Sequence, residues 1–235
     1  MSNYRNKRDR NDRQKMKTSK PVNDLKDPKK VITEACRSSF MQIASLRRTE
    51  KPNGDEGTIC TTAIIIPKQL KETVVNIRRS IRYAAREVMG SEIDPFKDPN
   101  IRIPLQDGDI LLDDPDKNYG EELENAFMLN ALAYNLPILR DEYNEVVSDH
   151  LREKFCKSGF WFHFSLYFQG YNKVVEQNNR KIRVRGVRCY LNSLMFVKED
   201  EILGRRDSSQ EDFSNFAQTS TDSYDDDEWD DDIPF

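Results

Sequence analysis

Ser158-Gly159-Phe160-Trp161-Phe162-His163-Phe164-Ser165-Leu166-Tyr167-Phe168-Gln169-Gly170-Tyr171 alternates between two chemistries, residue by residue. An extended strand sends successive side chains to opposite faces. One face then receives Phe160, Phe162, Phe164, Leu166 and Phe168, which are uniformly apolar and belong in a core. The other receives Trp161, His163, Ser165, Tyr167, Gln169 and Tyr171, where flat rings mix with hydrogen-bonding groups. That is the composition of a half-wet binding face on a mainly β protein.

The neighbouring segments extend the pattern. Asn178-Asn179 marks a turn, and Lys181-Ile182-Arg183-Val184-Arg185 alternates basic with apolar. With Ile182 and Val184 inward, Lys181, Arg183 and Arg185 point outward together. Gly186 permits a bend or bulge, and Val187 to Val197 continues as a strand carrying Arg188 and Tyr190. A hairpin of 160–171 with 181–197 sets Trp161, His163, Tyr167 and Tyr171 near Arg183, Arg185, Arg188 and Tyr190. Rings offer π-faces to unpaired bases, and basic side chains neutralise phosphates. The expectation is a surface for single-stranded nucleic acid.

Upstream, Ser39 to Leu46 reads as a first strand and Thr58 to Pro67 as a buried β-branched one. Between them Arg47-Arg48-Thr49-Glu50-Lys51-Pro52-Asn53-Gly54 reads as a polar turn-rich loop, and Arg47 and Arg48 join the candidate DNA contacts. Val74, Ile77, Ile81, Ala85 and Val88 recur at helical spacing, giving about four turns stopped by Gly90. The arginines on that helix, Arg78, Arg79, Arg82 and Arg86, read as a solvated face. Glu124 to Ala133 and Pro137 to Leu139 are further strand candidates. Several short strands with one helix among them point to a small β-barrel.

Charge is segregated along the 235 residues. Residues 1–30 carry 11 basic and 4 acidic residues, residues 207–235 carry 11 acidic and no basic ones, and 31–206 are balanced at 26 of each. The barrel domain is expected over 31–206. Residues 1–30 and 207–235 hold too little apolar surface to offset chain entropy and are expected to be disordered. The basic arm reads either as a phosphate contact or as a solubilising leader. Four scattered cysteines without a C-x-x-C spacing read as reduced core residues, and no metal or other cofactor is expected. Neither a membrane span nor a secretory signal is recognisable, so a cytoplasmic location is expected.

Catalysis has little support. The chain has two His and no G-x-S-x-G, H-E-x-x-H or phosphate-loop motif. The carboxylates at Asp107, Asp109, Asp113, Asp114 and Asp116 leave a metal-dependent nuclease as a weak alternative. A scaffolding protein without DNA binding is another.

Six ordered segments carry a family resemblance: Thr62 to Lys68, Pro104 to Asp109, Ser158-Gly159 with its strand, Gly186 to Asn192, Leu203 to Arg206, and Phe213. Together they resemble phage-encoded single-stranded DNA-binding proteins of the OB-fold type, over roughly residues 38–216. The resemblance implies a five-stranded Greek-key barrel with an inserted helix. It also implies a role in coating single strands during phage DNA replication, recombination and repair, in the host cytoplasm. In that family an aromatic is common at the positions of Trp161 and Tyr171, and a basic residue where this chain has His163. The ending Asp230-Asp231-Asp232-Ile233-Pro234-Phe235 is similar to the C-terminal tip of bacterial single-stranded DNA-binding proteins, which recruits replication and repair partners. The expected partners are therefore single-stranded DNA, replication or recombination proteins docked at the tip, and a second copy of the chain if it oligomerises.

Overall fold

The alternation at 160–171 is realised in the longest antiparallel pairing of the molecule. The computed structural model describes residues 27–50, 56–114, 119–177 and 180–203. In chain order its elements are β1 (Lys30–Ile32), β2 (Cys36–Glu50), β3 (Glu56–Pro67), α1 (Lys71–Met89), β4 (Ile101–Arg102), β5 (Leu105–Asp107), α2 (Gly108–Leu112), β6 (Ala126–Ala133), β7 (Ile138–Arg140), α3 (Arg152–Phe155), β8 (Trp161–Gln177) and β9 (Arg180–Lys198). The acidic tail with its tip, most of the basic arm and the Asn178-Asn179 turn lie outside the described residues.

Five long strands close on themselves. β2 pairs with β3, β3 with β6, β6 with β9, β9 with β8, and β8 returns to β2. All of these junctions are antiparallel except β6–β9, which is parallel at Leu132 and Tyr190. The result is the mainly β fold expected. β1 continues the β8 edge where β2 leaves it, pairing Lys30 with Tyr167 and Ile32 with Ser165. Lys29 and Lys30, counted with the basic arm in the sequence reading, thus belong to the fold. Lys29 also reaches Glu87 on α1 at 3.1 Å.

The core is the inner face of β8 and its partners. Phe162, Phe164, Leu166 and Phe168 are fully buried, together with Ile64 and Ile66 from β3, Leu129 from β6 and Ile77 and Ile81 from α1. Burying one such side chain stabilises the fold by about 1.5–3 kcal/mol, and this row sits within the main core cluster of the molecule. Phe196 meets Phe155, Phe160 and Phe162 at ring centroid distances of 5.1, 6.0 and 5.8 Å.

α1 is one turn longer than its apolar spacing suggests, and small polar residues share its buried stripe. Thr73, Asn76 and Ser80 lie there with Ile77, Ile81, Ala84 and Ala85. Two of the polar members meet the entering chain: Ser80 Oγ donates to Pro28 O at 2.7 Å and Thr73 Oγ1 to Glu34 Oε2 at 2.9 Å. The helix meets β8 so closely that a Cβ at Gly170 would lie 2.1 Å from Ala84 O. The arginines of α1 are held rather than free. Arg78 and Arg82 lie over Phe96 at 5.1 and 4.9 Å, Arg82 pairs with Asp94, and Arg86 donates to Ile93 O.

Two expectations need correction. Arg47, Arg48, Thr49 and Glu50 are strand, paired with Ile59, Thr58, Gly57 and Glu56, so the β2–β3 ladder runs through what reads as a loop. Local turn propensity loses there to cross-strand pairing. The alternation at 181–185 is also phased the other way. Tyr171 pairs with Gly186 and the register is unbroken to Gln177–Arg180. Cross-strand partners share a face, so Val184 and Ile182 lie on the Tyr171 face, and Ile182 is 43% exposed rather than inward.

Candidate nucleic-acid interface

On the outer face of β8, Tyr167 pairs with Tyr190, Gln169 with Arg188 and Tyr171 with Gly186. These residues form one continuous patch. The Arg188 guanidinium lies 5.1 Å from the Tyr171 ring centroid and donates to Tyr134 Oη at 3.2 Å. Tyr134 in turn packs on Tyr190 with centroids 6.0 Å apart. Gly186 is not a bend. It is the place where the Tyr171 ring crosses β9, and a Cβ there would lie 2.5 Å from Tyr171 Oη.

Next to this patch is a concavity of about 510 Å³ lined by Tyr134, Asn135, Pro137, Tyr167, Gln169 and Tyr190, among others. Asn192 also lines it, two residues beyond Tyr190 and so on the same face of β9, beside a bulge at which Ser165 pairs with Ser193 but Leu166 with Leu191. Past the bulge Ser193, opposite Ser165, continues this face and Leu194 turns into the core. The concavity thus joins three tyrosine rings to the amides of Asn135, Gln169 and Asn192. Rings supply stacking and amides supply both donors and acceptors, a combination suited to a nucleobase.

Of the residues that the sequence suggests, the structure brings Tyr167, Tyr171, Arg188 and Tyr190 together. It adds Tyr134, which the sequence pattern does not single out and which is 44% exposed just past the end of β6. The available signal was an aromatic following the strand ending at Ala133, in a segment closed by Pro137. Arg47 and Arg48 stand on the β2–β3 arm near this lip: Arg48 pairs with Thr58, whose Oγ1 donates to Tyr134 O at 3.3 Å.

The remaining sequence candidates are placed elsewhere. Trp161 lies at the far end of β8, its Nε1 donating to Asp200 Oδ2 at 2.7 Å and Lys198 over its ring at 5.0 Å. His163 holds Thr33 O through Nδ1 at 3.0 Å. Lys181, Arg183 and Arg185 share a face with Glu176, Val174 and Asn172, opposite to that of Tyr171. Arg185 is further engaged by Asp98 at 3.3 Å. The cause is the unbroken register, which the sequence pattern alone does not fix.

The acidic segment is occupied internally. Lys68 Nζ donates to Asp107 Oδ1 at 2.6 Å and Asp109 Oδ2 at 2.7 Å. Hydrogen bonding from Lys68 and from Asn125 N holds the Asp109 carboxyl below its usual range. Among the described residues no group of His, Cys, Asp and Glu is arranged to hold a metal, and no helix is long and apolar enough to cross a membrane.

Five strands closed on themselves, with tyrosine rings and Arg188 gathered on one outer face, form an arrangement suited to unpaired nucleic acid. The family described as "Enterobacter phage Enc34, ssDNA-binding protein" matches residues 29–227. The chain belongs to this family of phage single-stranded DNA-binding proteins. Among solved structures it is similar to the single-stranded DNA-binding protein from bacteriophage Enc34 in complex with ssDNA, with a TM-score of 0.58 and 17% identity over 80% of this chain and 99% of that one. A C-terminal truncation of the Enc34 protein gives 0.58 and 15% over 78% and 96%. A further structure of that protein gives 0.57 and 16% over 81% and 97%. At these identities the likeness is one of fold. No curated protein matches the sequence.

Proposed function

We propose that the chain binds single-stranded DNA without sequence preference, coating exposed strands during phage replication, recombination and repair. The observation that carries this reading is the connected patch Tyr171–Arg188–Tyr134–Tyr190–Tyr167 beside an open concavity. Ring stacking of about 1–3 kcal/mol per base, a magnitude established on single-strand binders of this kind, suits a face built from tyrosines. Family membership supports the same reading. In it the barrel is of the OB type, the protein acts without catalysis, and Arg47 and Arg48 extend phosphate contacts along the β2–β3 arm. The salt links of Asp107 and Asp109 to Lys68 favour it over a nuclease.

The acidic C-terminal segment adds a second level. With 11 acidic and no basic residues over 207–235, plus Trp229 and Phe235, it imitates the charge and rings of a single strand. In this reading it competes with DNA for the groove and, once displaced, offers Asp230, Asp231, Asp232, Ile233, Pro234 and Phe235 to replication partners with a basic pocket and an apolar slot.

The test is titration of labelled oligo-dT at two salt concentrations, with the full chain and with residues 217–235 removed. Salt-dependent binding that strengthens at low salt on truncation is expected. Absence of binding would refute the first level, and unchanged affinity on truncation the second.

A further inference from the structure

The lip that presents Tyr134 is built from carbonyls that side chains hold. Thr58 Oγ1 donates to Tyr134 O at 3.3 Å, Cys60 Sγ approaches Asn135 O at 3.8 Å, and Arg152 Nη2 donates to Pro137 O at 2.9 Å. The same Nη2 reaches Ile43 O at 3.2 Å. Ile43 lies where β2 carries extra residues between its pairings of Gln42 with Thr61 and Arg47 with Ile59.

Arg152 is unusual as a stabilising element. It is 3% exposed, yet its carboxylate partner Asp149 is 3.9 Å away, and its Nε lacks a hydrogen-bond partner. A buried cation pays for desolvation that so distant a partner recovers poorly. What the guanidinium does achieve is geometric: one nitrogen ties β2 to the Pro137 wall of the concavity.

We propose that Arg152 is a positioning residue for single-strand binding, fixing from behind the 134–137 lip that offers Tyr134 to a nucleobase. It touches no DNA itself. The inference rests on the single-strand reading above, with the concavity as a seat for one base. A preformed seat binds more tightly because less ordering is lost on binding.

The test is Arg152→Met in the full chain, titrated with labelled oligo-dT across salt concentrations and checked for folding by thermal melting. Affinity is expected to fall about tenfold, of the order of one lost stacking contact. The slope of log K against log salt should not change, whereas a lost phosphate contact would lower it by about 0.7. In a Tyr134→Ala background Arg152→Met should cost almost nothing further. Wild-type affinity in folded Arg152→Met, a reduced slope, or the same loss in both backgrounds would each overturn the proposal. Should Arg152→Met fail to fold, Thr58→Val on the exposed start of β3 removes the neighbouring tether. A loss of about twofold with an unchanged slope supports the held lip, and wild-type affinity there overturns it. A wild-type chain that ignores oligo-dT sinks the single-strand reading itself, a result separate from any behaviour of Arg152.

Discussion

Arg188 on β9 stands over the ring of Tyr171 on β8, 5.1 Å from its centroid, and holds Tyr134 Oη with the same guanidinium. One cation thus spans a ring on β8 and a ring just past the end of β6.

Arg188→Ala is expected to weaken oligo-dT binding by about 1 kcal/mol and to lower the salt slope by about 0.7, since one phosphate contact disappears. Arg188→Lys should restore most of the slope but less of the affinity, because an ammonium stacks poorly. Anisotropy titrations at several salt concentrations read both. An unchanged slope in Arg188→Ala would remove Arg188 from the phosphate contacts.

Gly170→Ala probes the seam between helix and barrel. The added methyl would meet Ala84 O at 2.1 Å, so α1 must move from β8. A loss of about 1–3 kcal/mol is expected from such overpacking, seen as a lower urea midpoint with little change in the m-value. A wild-type midpoint would mean that the contact relaxes freely.

Lys68→Met should destabilise the fold in a pH-dependent way. Lys68 lowers the folded-state pKa of Asp109, so the pair contributes above the ordinary carboxylate value of about 4 and loses its contribution as pH falls through the lowered value. Urea melts of wild type and Lys68→Met should therefore differ at pH 6 and converge toward pH 2. A difference that persists in acid would point to lost packing of the lysine stem on Phe127, whose ring centroid lies 5.1 Å from Nζ.

The cysteines should be silent in the native state. Burial pushes the Cys36 thiol up to about 12 and Cys156 up to about 11, and raises Cys189 and Cys60 as well. Thiolate is the reactive form. A thiol reagent at pH 8 is expected to label none of the four quickly without denaturant, and all four in urea. Fast native labelling would show that a strand opens locally.

The sequence was most legible where a period was long and unbroken. The Phe160 to Phe168 row could only be one face of a buried strand, and it is. The Ile77, Ile81 and Ala85 stripe marked the helix. Legibility failed where the outcome depends on a partner strand. Leu194 turns into the core although it continues the alternation of Arg188, Tyr190 and Asn192, because β9 bulges beside it, and no feature of its own neighbourhood says so. Arg183 and Arg185 fall on the far face because the register beyond Tyr171 is continuous, while alternation alone allows either phase. Tyr134 and Arg152 are tied through carbonyl contacts to segments far apart in sequence, which no local pattern encodes.

β8 writes its core and its ligand face in alternate letters, and this has a consequence for fidelity of folding. A slip of one residue against β9 would turn Phe162, Phe164 and Phe168 to water and bring Tyr167 and Tyr171 inside. No half-right product exists: a misregistered hairpin loses its groove and gains an adhesive apolar strip in the same step. The pairings with β1, β2 and β9 that bracket Trp161 to Tyr167 therefore select the register, so that a barrel able to close is also one that turns its tyrosines outward.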